Sequence, residues 1–462
     1  MSERRFDREQ LLGTIFDLFP WTRQYRDEPI RHYAAALYDY RPAVADSTRR
    51  QARNTLRRWV TKKALERGFG QAQAERLADD IDQYPVLQTG PHLHLLIEPD
   101  AFFTHLFSLM GLAALGSRSY ISYACSTVKF AEKSRKGPGW LRLDGQAINV
   151  FGLSRREMIP YSILAKNQMY EFALKPAEGF SRPHDAISAL EPLLPAASFP
   201  SAAAAIKAAN LNLWNAHFDQ HVGFLQLDDD DVSDLVLMHL DDPNSWLCRK
   251  FLVDPVLPVK ILRTIDRLAS TPWRDWLKNS THFFWGCDNG RIFPMELGDG
   301  FLRPSNGEGD TIALTREGLM EALAAGRIIP NLFLVFIVIA ILPGIRVLGG
   351  SRHTVYYPLM RYAFCAGLVD SGCDDDLLRS LVHERRASAW GHRVILDTAE
   401  PFALLRLKSG AVPSLMSRYG AMSLDQACGS LDGFLEDPLW QDLFSSLKSG
   451  AVSTTGGPWA FV

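Results

Sequence analysis

No apolar run in this sequence reaches the roughly 20 uninterrupted residues that a membrane-spanning helix requires. The most apolar stretch, PNLFLVFIVIAILPGIRVLGG at residues 330–350, is broken at Pro343-Gly344. Proline cannot continue a helix and glycine favours a turn. The stretch therefore predicts a helix apolar on every side, a tight turn, a short β-branched strand (IRVL) and a glycine loop, all inside a large core. Cysteine is sparse. Cys125, Cys248, Cys287, Cys365, Cys373 and Cys428 show no CxxC spacing, which argues against a disulfide framework and a thiolate zinc site. Net charge is also lacking, at −2, so no global field directs the chain to nucleic acid or an anionic membrane. The amino terminus, MSERRFDREQ, has no apolar signal core. These absences together predict a cytoplasmic, reduced protein that does not enter a membrane.

Several catalytic fingerprints are missing too: there is no GxSxG elbow, P-loop, GxGxxG or HExxH. What is present is a mixed pattern of helices and strands. Residues 7–40 have helical spacing, and 47–80 form a helical pattern rich in Arg and Lys. YPVLQTG reads as a strand entering a glycine turn, and residues 102–116 as an apolar helix stopping at Gly116. RSYISYACSTVKF alternates as a strand, and WLRLDGQAINVFGL reads as a hairpin around Asp144-Gly145. Residues 155–280 read as mostly helical, SAAAAIKAANLNLWNAHFDQHVGFL included. Residues 282–304 resemble a β-meander, a helix follows from Thr315, and the tail from about 370 is helical again. The order predicts an α/β fold with a parallel sheet. Its organisation would be a helical region over 1–82, a core over 83–360 with an insertion at about 155–310, and a helical region over 361–462.

Four constellations could carry chemistry. In QTGPHLHLL, a strand ending at Thr89-Gly90 and opening a helix would point free N–H groups at an anion, with His92 and His94 beside it; a capped turn with partly buried histidines accounts for the same residues. In GGSRHT, Gly349 and Gly350 follow a buried strand, where glycine permits close approach, and Ser351, Arg352 and His353 supply donors; a plain turn is the alternative. In an α/β sheet, ligands sit beyond the carboxyl ends of strands, so these two loops could face one crevice. His217 and His221 stand at i, i+4, the spacing of a helical zinc pair, although without the metalloprotease glutamate. The basic stretch Arg49–Arg67 could bind an acidic partner such as RNA, or form a solvated face. Asp228–Asp231 reads as a solvated loop, and Cys125 as a small buried thiol.

The two glycine loops together resemble those of the cysteine-adding enzymes of bacillithiol biosynthesis. The first match is the strand, the Thr-Gly loop and the apolar helix in VLQTGPHLHLLIEPDAFFTHLFSLMGLAALG. The second, more specific, is the series Pro330-Asn331, Leu342-Pro343, Gly349-Gly350 and Tyr356. The resemblance implies a Rossmann-like core with helical additions, ATP with Mg2+ in the crevice, and attachment of an amino acid through its carboxyl group to an amine. It implies Thr89, Gly90, His92 and His94 on the phosphate side, and Gly349, Gly350, Ser351 and Tyr356 on the opposite wall, supported by Asn331. Arg352 would suit a carboxylate or phosphate through its planar fork, with His353 and Tyr356 toward the substrate. The helix after Pro330-Asn331 is apolar here and polar in that family. Three other readings stay open: a nucleotidyltransferase, a binding protein with a degenerate site, and an aminoacyl-tRNA-using transferase. A homodimer is compatible with each.

Overall fold

The computed structural model describes residues 8–42, 46–131, 135–177, 184–218, 221–307, 309–384, 386–407, 410–453 and 456–461. At its centre lies a five-stranded parallel sheet made of β1 (Val86–Gln88), β2 (Ser119–Tyr123), β3 (Gly223–Leu227), β4 (Arg346–Gly349) and β5 (Ser388–Trp390), in the spatial order β5-β4-β1-β2-β3. This is the α/β, Rossmann-like arrangement: the chain builds outward from β1 in one direction, then returns to the other side of β1 with β4. β1, β2, β3 and β4 are buried along their whole length, as expected of parallel strands covered on both faces.

Two of these strands fall outside the core expected from the sequence. β3 lies within the expected insertion, and its five residues come soon after helix α3 (Ala202–His217), so helical periodicity masked it. β5 lies in the expected carboxyl-terminal region and has only three residues, too few to show alternation.

The 330–350 segment is buried throughout, apart from partial exposure at Asn331, Leu332 and Gly350. Its helix runs from Leu332 to Phe336 and continues as a wider π turn over Ile337–Ile341 before β4. No helix among the described residues is long and apolar enough to cross a membrane. The turn is tight because Gly344 has φ +70° and a methyl group there would lie 2.6 Å from a guanidinium nitrogen of Arg49. The meander forms as read, over Phe284–Asp288, Arg291–Gly298 and Phe301–Pro304, and belongs to a separate antiparallel sheet. The hairpin at Asp144-Gly145 and the helix stop at Gly116 also form as read.

The basic helix, α1 (Ser47–Glu66), turns much of its charge inward. Arg49 is buried on Glu384 at 2.8 Å, and Arg57 pairs with Asp79 and Asp82. Lys63 pairs with Asp231, Asp234 and Glu66, and Arg67 binds Asp231. These cations fasten the stretch to its neighbours, while Arg50, Arg58 and Lys62 stay exposed.

Candidate functional site

Strand order reverses between β1 and β4. In such sheets a crevice opens between the loops that leave the two strands in opposite directions. Thr89-Gly90 leaves β1, and Gly350-Ser351-Arg352 leaves β4, directly beside it. The Thr89 N–H and hydroxyl both donate to the Leu348 carbonyl, at 2.8 and 2.9 Å. The two glycine loops therefore do meet.

A third loop joins them. After β5 the chain reads Gly391-His392, and both of their N–H groups donate to the Gly349 carbonyl. The His392 ring fills the space the glycines leave: a methyl group on Gly90 would stand 2.1 Å from Cβ of His392, and one on Gly350 would stand 3.3 Å from its Cδ2. Thr104, on helix α2 (Pro99–Leu115), holds Nδ1 of His392 at 2.8 Å. Gly349 in turn makes room for His353, whose Nδ1 lies 1.9 Å from where a methyl group would be. The glycines thus accommodate histidine rings. His392 was not singled out in the sequence. Its signal is a repeated one: QTGPH, LGGSRH and AWGH each place glycine and then histidine at the end of a core strand.

The cluster comprises His92, His94, His353 and His392, with Tyr356 and Cys125. His92 is exposed; His94, His392, Tyr356 and Cys125 are half-buried; His353 is buried. Cys125 links the β1 and β4 loops, because its carbonyl accepts from Leu93 N–H and its thiol lies within electrostatic reach of Tyr356. The His353 ring packs on Tyr356 with centroids 5.0 Å apart and edge-on to Phe336 at 5.4 Å. Burial pushes His94 down to about 3, helped by the neighbouring His92, and pushes His353 to about 3 as well. His392 is held well below its ordinary value by burial, then by Arg393, His92, His105 and His353. These rings are neutral at pH 7, each with one donor and one acceptor.

Three of their nitrogens are buried without a partner: Nδ1 of His94 and both nitrogens of His353. An orphaned buried polar atom costs about 1–3 kcal/mol, and water, an ion, a ligand or stored strain accounts for such atoms in native structures.

The structure redistributes the other candidates. The loop after β1 does not open a helix at Thr-Gly: α2 begins nine residues after Gly90, capped by Glu98. Two of the N–H groups expected to face an anion are engaged, Gly90 by Gln88 Oε1 at 2.9 Å and Leu93 by Cys125. The β4 turn does lead directly into a helix, α5 (His353–Ser371), which has no side-chain cap at its amino end. Arg352 turns to Asp437, at 2.6 and 2.9 Å, and Ser351 donates to the Gly433 carbonyl. Asn331 caps the 332–336 helix through Leu334 N–H and donates to the Thr281 carbonyl, so its side chain shapes the wall.

The acidic run was misread as a solvated loop. Asp228 ends β3 and caps helix α4 (Asp229–Asp241), and Asp228, Asp229 and Asp231 are buried. Asp229 accepts from the N–H groups of Ser126 and Thr127, at 2.8 and 2.7 Å, and from the Tyr123 hydroxyl. Buried Lys207 bridges Asp228 and Asp231 at 2.6 and 2.7 Å. Burial and Asp229 raise the Cys125 thiol far above its usual range, which disfavours the thiolate at neutral pH. The His217–His221 pair does not share a helix face, since α3 ends at His217. Among the described residues, no group of three or more His, Cys, Asp or Glu side chains could hold a metal ion.

No protein-family model matches this chain, and no curated protein matches it.

Proposed function

We propose that this chain is a nucleotide-using enzyme whose ligand sits at the carboxyl edge of the parallel sheet, between the loops after β1 and β4. The observation that carries the reading is the reversal of strand order at β1 and β4, where neutral histidines with unpartnered nitrogens converge. A reaction that activates an amino-acid carboxylate and joins it to an amine is the preferred chemistry, and it rests on the resemblance in the two glycine loops.

The residues fit ATP unevenly. The β1 turn has the Gly90 and Leu93 N–H groups engaged and Gly90 covered, so it is a poor phosphate cradle. The β4 turn suits phosphate better: two glycines lead into a 19-residue helix with no side-chain cap. Bound ATP would supply the activated phosphoryl group, and Mg2+ would come with its phosphates, since the described residues form no cage of their own. The chain's own contribution would be positioning and exclusion of water.

A nucleotidyltransferase on the same core would accumulate an adenylate without an acceptor amine, whereas the ligase would yield product only with one. A non-catalytic binding protein is a second reading, favoured by one observation: the rings of His392 and His353 cover the glycines that a ligand would approach.

Calorimetric titration of ATP, with and without magnesium, tests the reading. Wild type should bind, and His92→Ala/His94→Ala should bind at least tenfold more weakly, about 1.4 kcal/mol. Equal affinity in both would remove the nucleotide from this crevice, and no binding to wild type would favour the non-catalytic reading.

A further inference from the structure

The crevice has an unusual chemical inventory for a phosphate site. The arginines beside its histidines are engaged elsewhere, Arg352 by Asp437 and Arg393 by Asp100 at 3.3 Å. Backbone donors along its floor are engaged too: Thr89 to Leu348, Gly90 to Gln88, Leu93 to Cys125, and both Gly391 and His392 to Gly349. Away from the β4 turn, the crevice offers aromatic surface and neutral hydrogen-bonding nitrogen. Tyr356 is half-buried and stacked on His353, with Phe336 behind them. The His94 ring lies parallel to that of His92 at 6.3 Å, and the residue before it, Leu93, donates its N–H to the carbonyl of Cys125, whose thiol is within electrostatic reach of Tyr356.

A neutral imidazole offers one N–H and one lone pair. That pairing complements the edge of a nitrogen heterocycle, where ring nitrogens accept and exocyclic amines donate. A π face beside it suits stacking, which is how proteins hold bases without reading a charge. A phosphate offers acceptors alone, and so leaves the lone pair of a neutral imidazole unmatched.

We propose that the switch-point crevice recognises an uncharged nitrogen heterocycle, a nucleobase, through His94 and the Tyr356–His353 stack. Any phosphates attached to it would extend from the crevice toward the β4 turn and its helix. The proposal rests on the nucleotide reading above, and reverses the polarity expected from the sequence, in which the β1 histidines faced phosphate.

The test is direct titration of the full chain with adenosine, cytidine and inorganic triphosphate, each alone and each in competition with ATP. The same titrations are run on His94→Phe and His353→Phe, which keep a ring and remove the nitrogens. At least one nucleoside should bind wild type and displace ATP, and triphosphate alone should bind at least tenfold more weakly than ATP. Both variants should lose at least tenfold in nucleoside affinity. The competition on wild type needs no variant, so a variant that misfolds leaves the test intact. Triphosphate competing as well as ATP while neither nucleoside binds would overturn the base proposal and spare the nucleotide reading. A nucleoside binding where ATP does not would keep the base proposal and overturn the nucleotide-using enzyme. Binding by neither class of probe would overturn both.

Discussion

Two clusters of ionisable side chains crown the same sheet edge, and they are built on opposite principles. At the end of β3, Asp228, Asp229 and Asp231 are surrounded by partners: Lys207, Lys63, Arg67, the Tyr123 hydroxyl and the N–H groups of Ser126 and Thr127. Only Oδ2 of Asp228 lacks one among the buried carboxylate oxygens there. At the junction of β1, β4 and β5, His94 and His353 hold three nitrogens with none. Charge that is satisfied from within the chain fastens elements together. Hydrogen-bonding capacity left over inside a protein is destabilising and persists where something else uses it. The acidic cluster is thereby part of what holds the fold together, and the histidine cluster is the place where the proposed ligand would supply the missing partners.

The largest expected effect lies in the acidic cluster. Lys207→Met removes the buried cation between Asp228 and Asp231, and should cost about 3–5 kcal/mol in urea unfolding, because uncompensated buried charge is left behind. A loss under about 1 kcal/mol would mean that the cluster is not a structural clamp. The histidine cluster should respond in the opposite way. His353→Phe keeps the ring volume and discards two orphaned nitrogens, so stability at pH 7 should stay within about 1 kcal/mol of wild type, while ligand affinity falls.

The pH dependence sharpens the contrast. His94 and His353 titrate near 3 in the folded chain and near 6.5 when unfolded. Between those values the unfolded chain binds more protons, so folding loses stability as pH falls from 6.5 toward 3. His94→Phe/His353→Phe removes that loss. Its stability relative to wild type should therefore rise from pH 7 to pH 4.5, read as urea midpoints; a constant offset would mean that neither ring is held neutral by the fold. The smallest effect is expected at Arg352. Its side chain is 57% exposed in the pair with Asp437, so Arg352→Ala should cost less than about 1 kcal/mol of stability.

Much of the architecture was legible because it is written in long patterns. The 330–350 segment disclosed its burial through composition and its turn through Pro343-Gly344, and the α2 stop was marked by Gly116, which adopts φ +65°. β5 escaped because Ser388–Trp390 is too short to alternate. Asp228–Asp231 escaped because four acids in a row look solvated until Lys207, 21 residues before Asp228, is seen to reach two of them. The glycine loops were located correctly by local pattern. What fills them was not legible, because His392 arrives from a strand some 300 residues along from Gly90, and only the sheet order brings it there. Arg352 misled for the same reason: its partner, Asp437, is a long-range neighbour without a local motif.

The most direct measurement is long-range 1H–15N NMR of the histidine side chains at pH 7, with adenosine or cytidine titrated into the full chain and assignments made by single His→Phe substitutions. The free protein should show His94, His353 and His392 as neutral tautomers, and a bound nucleoside should shift the ring nitrogens of His94 and His353 while the buried His239, distant in sequence, stays still. Protonated rings in the free protein, or a bound nucleoside that leaves His94 and His353 unmoved, would contradict the assignment of this cluster to ligand recognition.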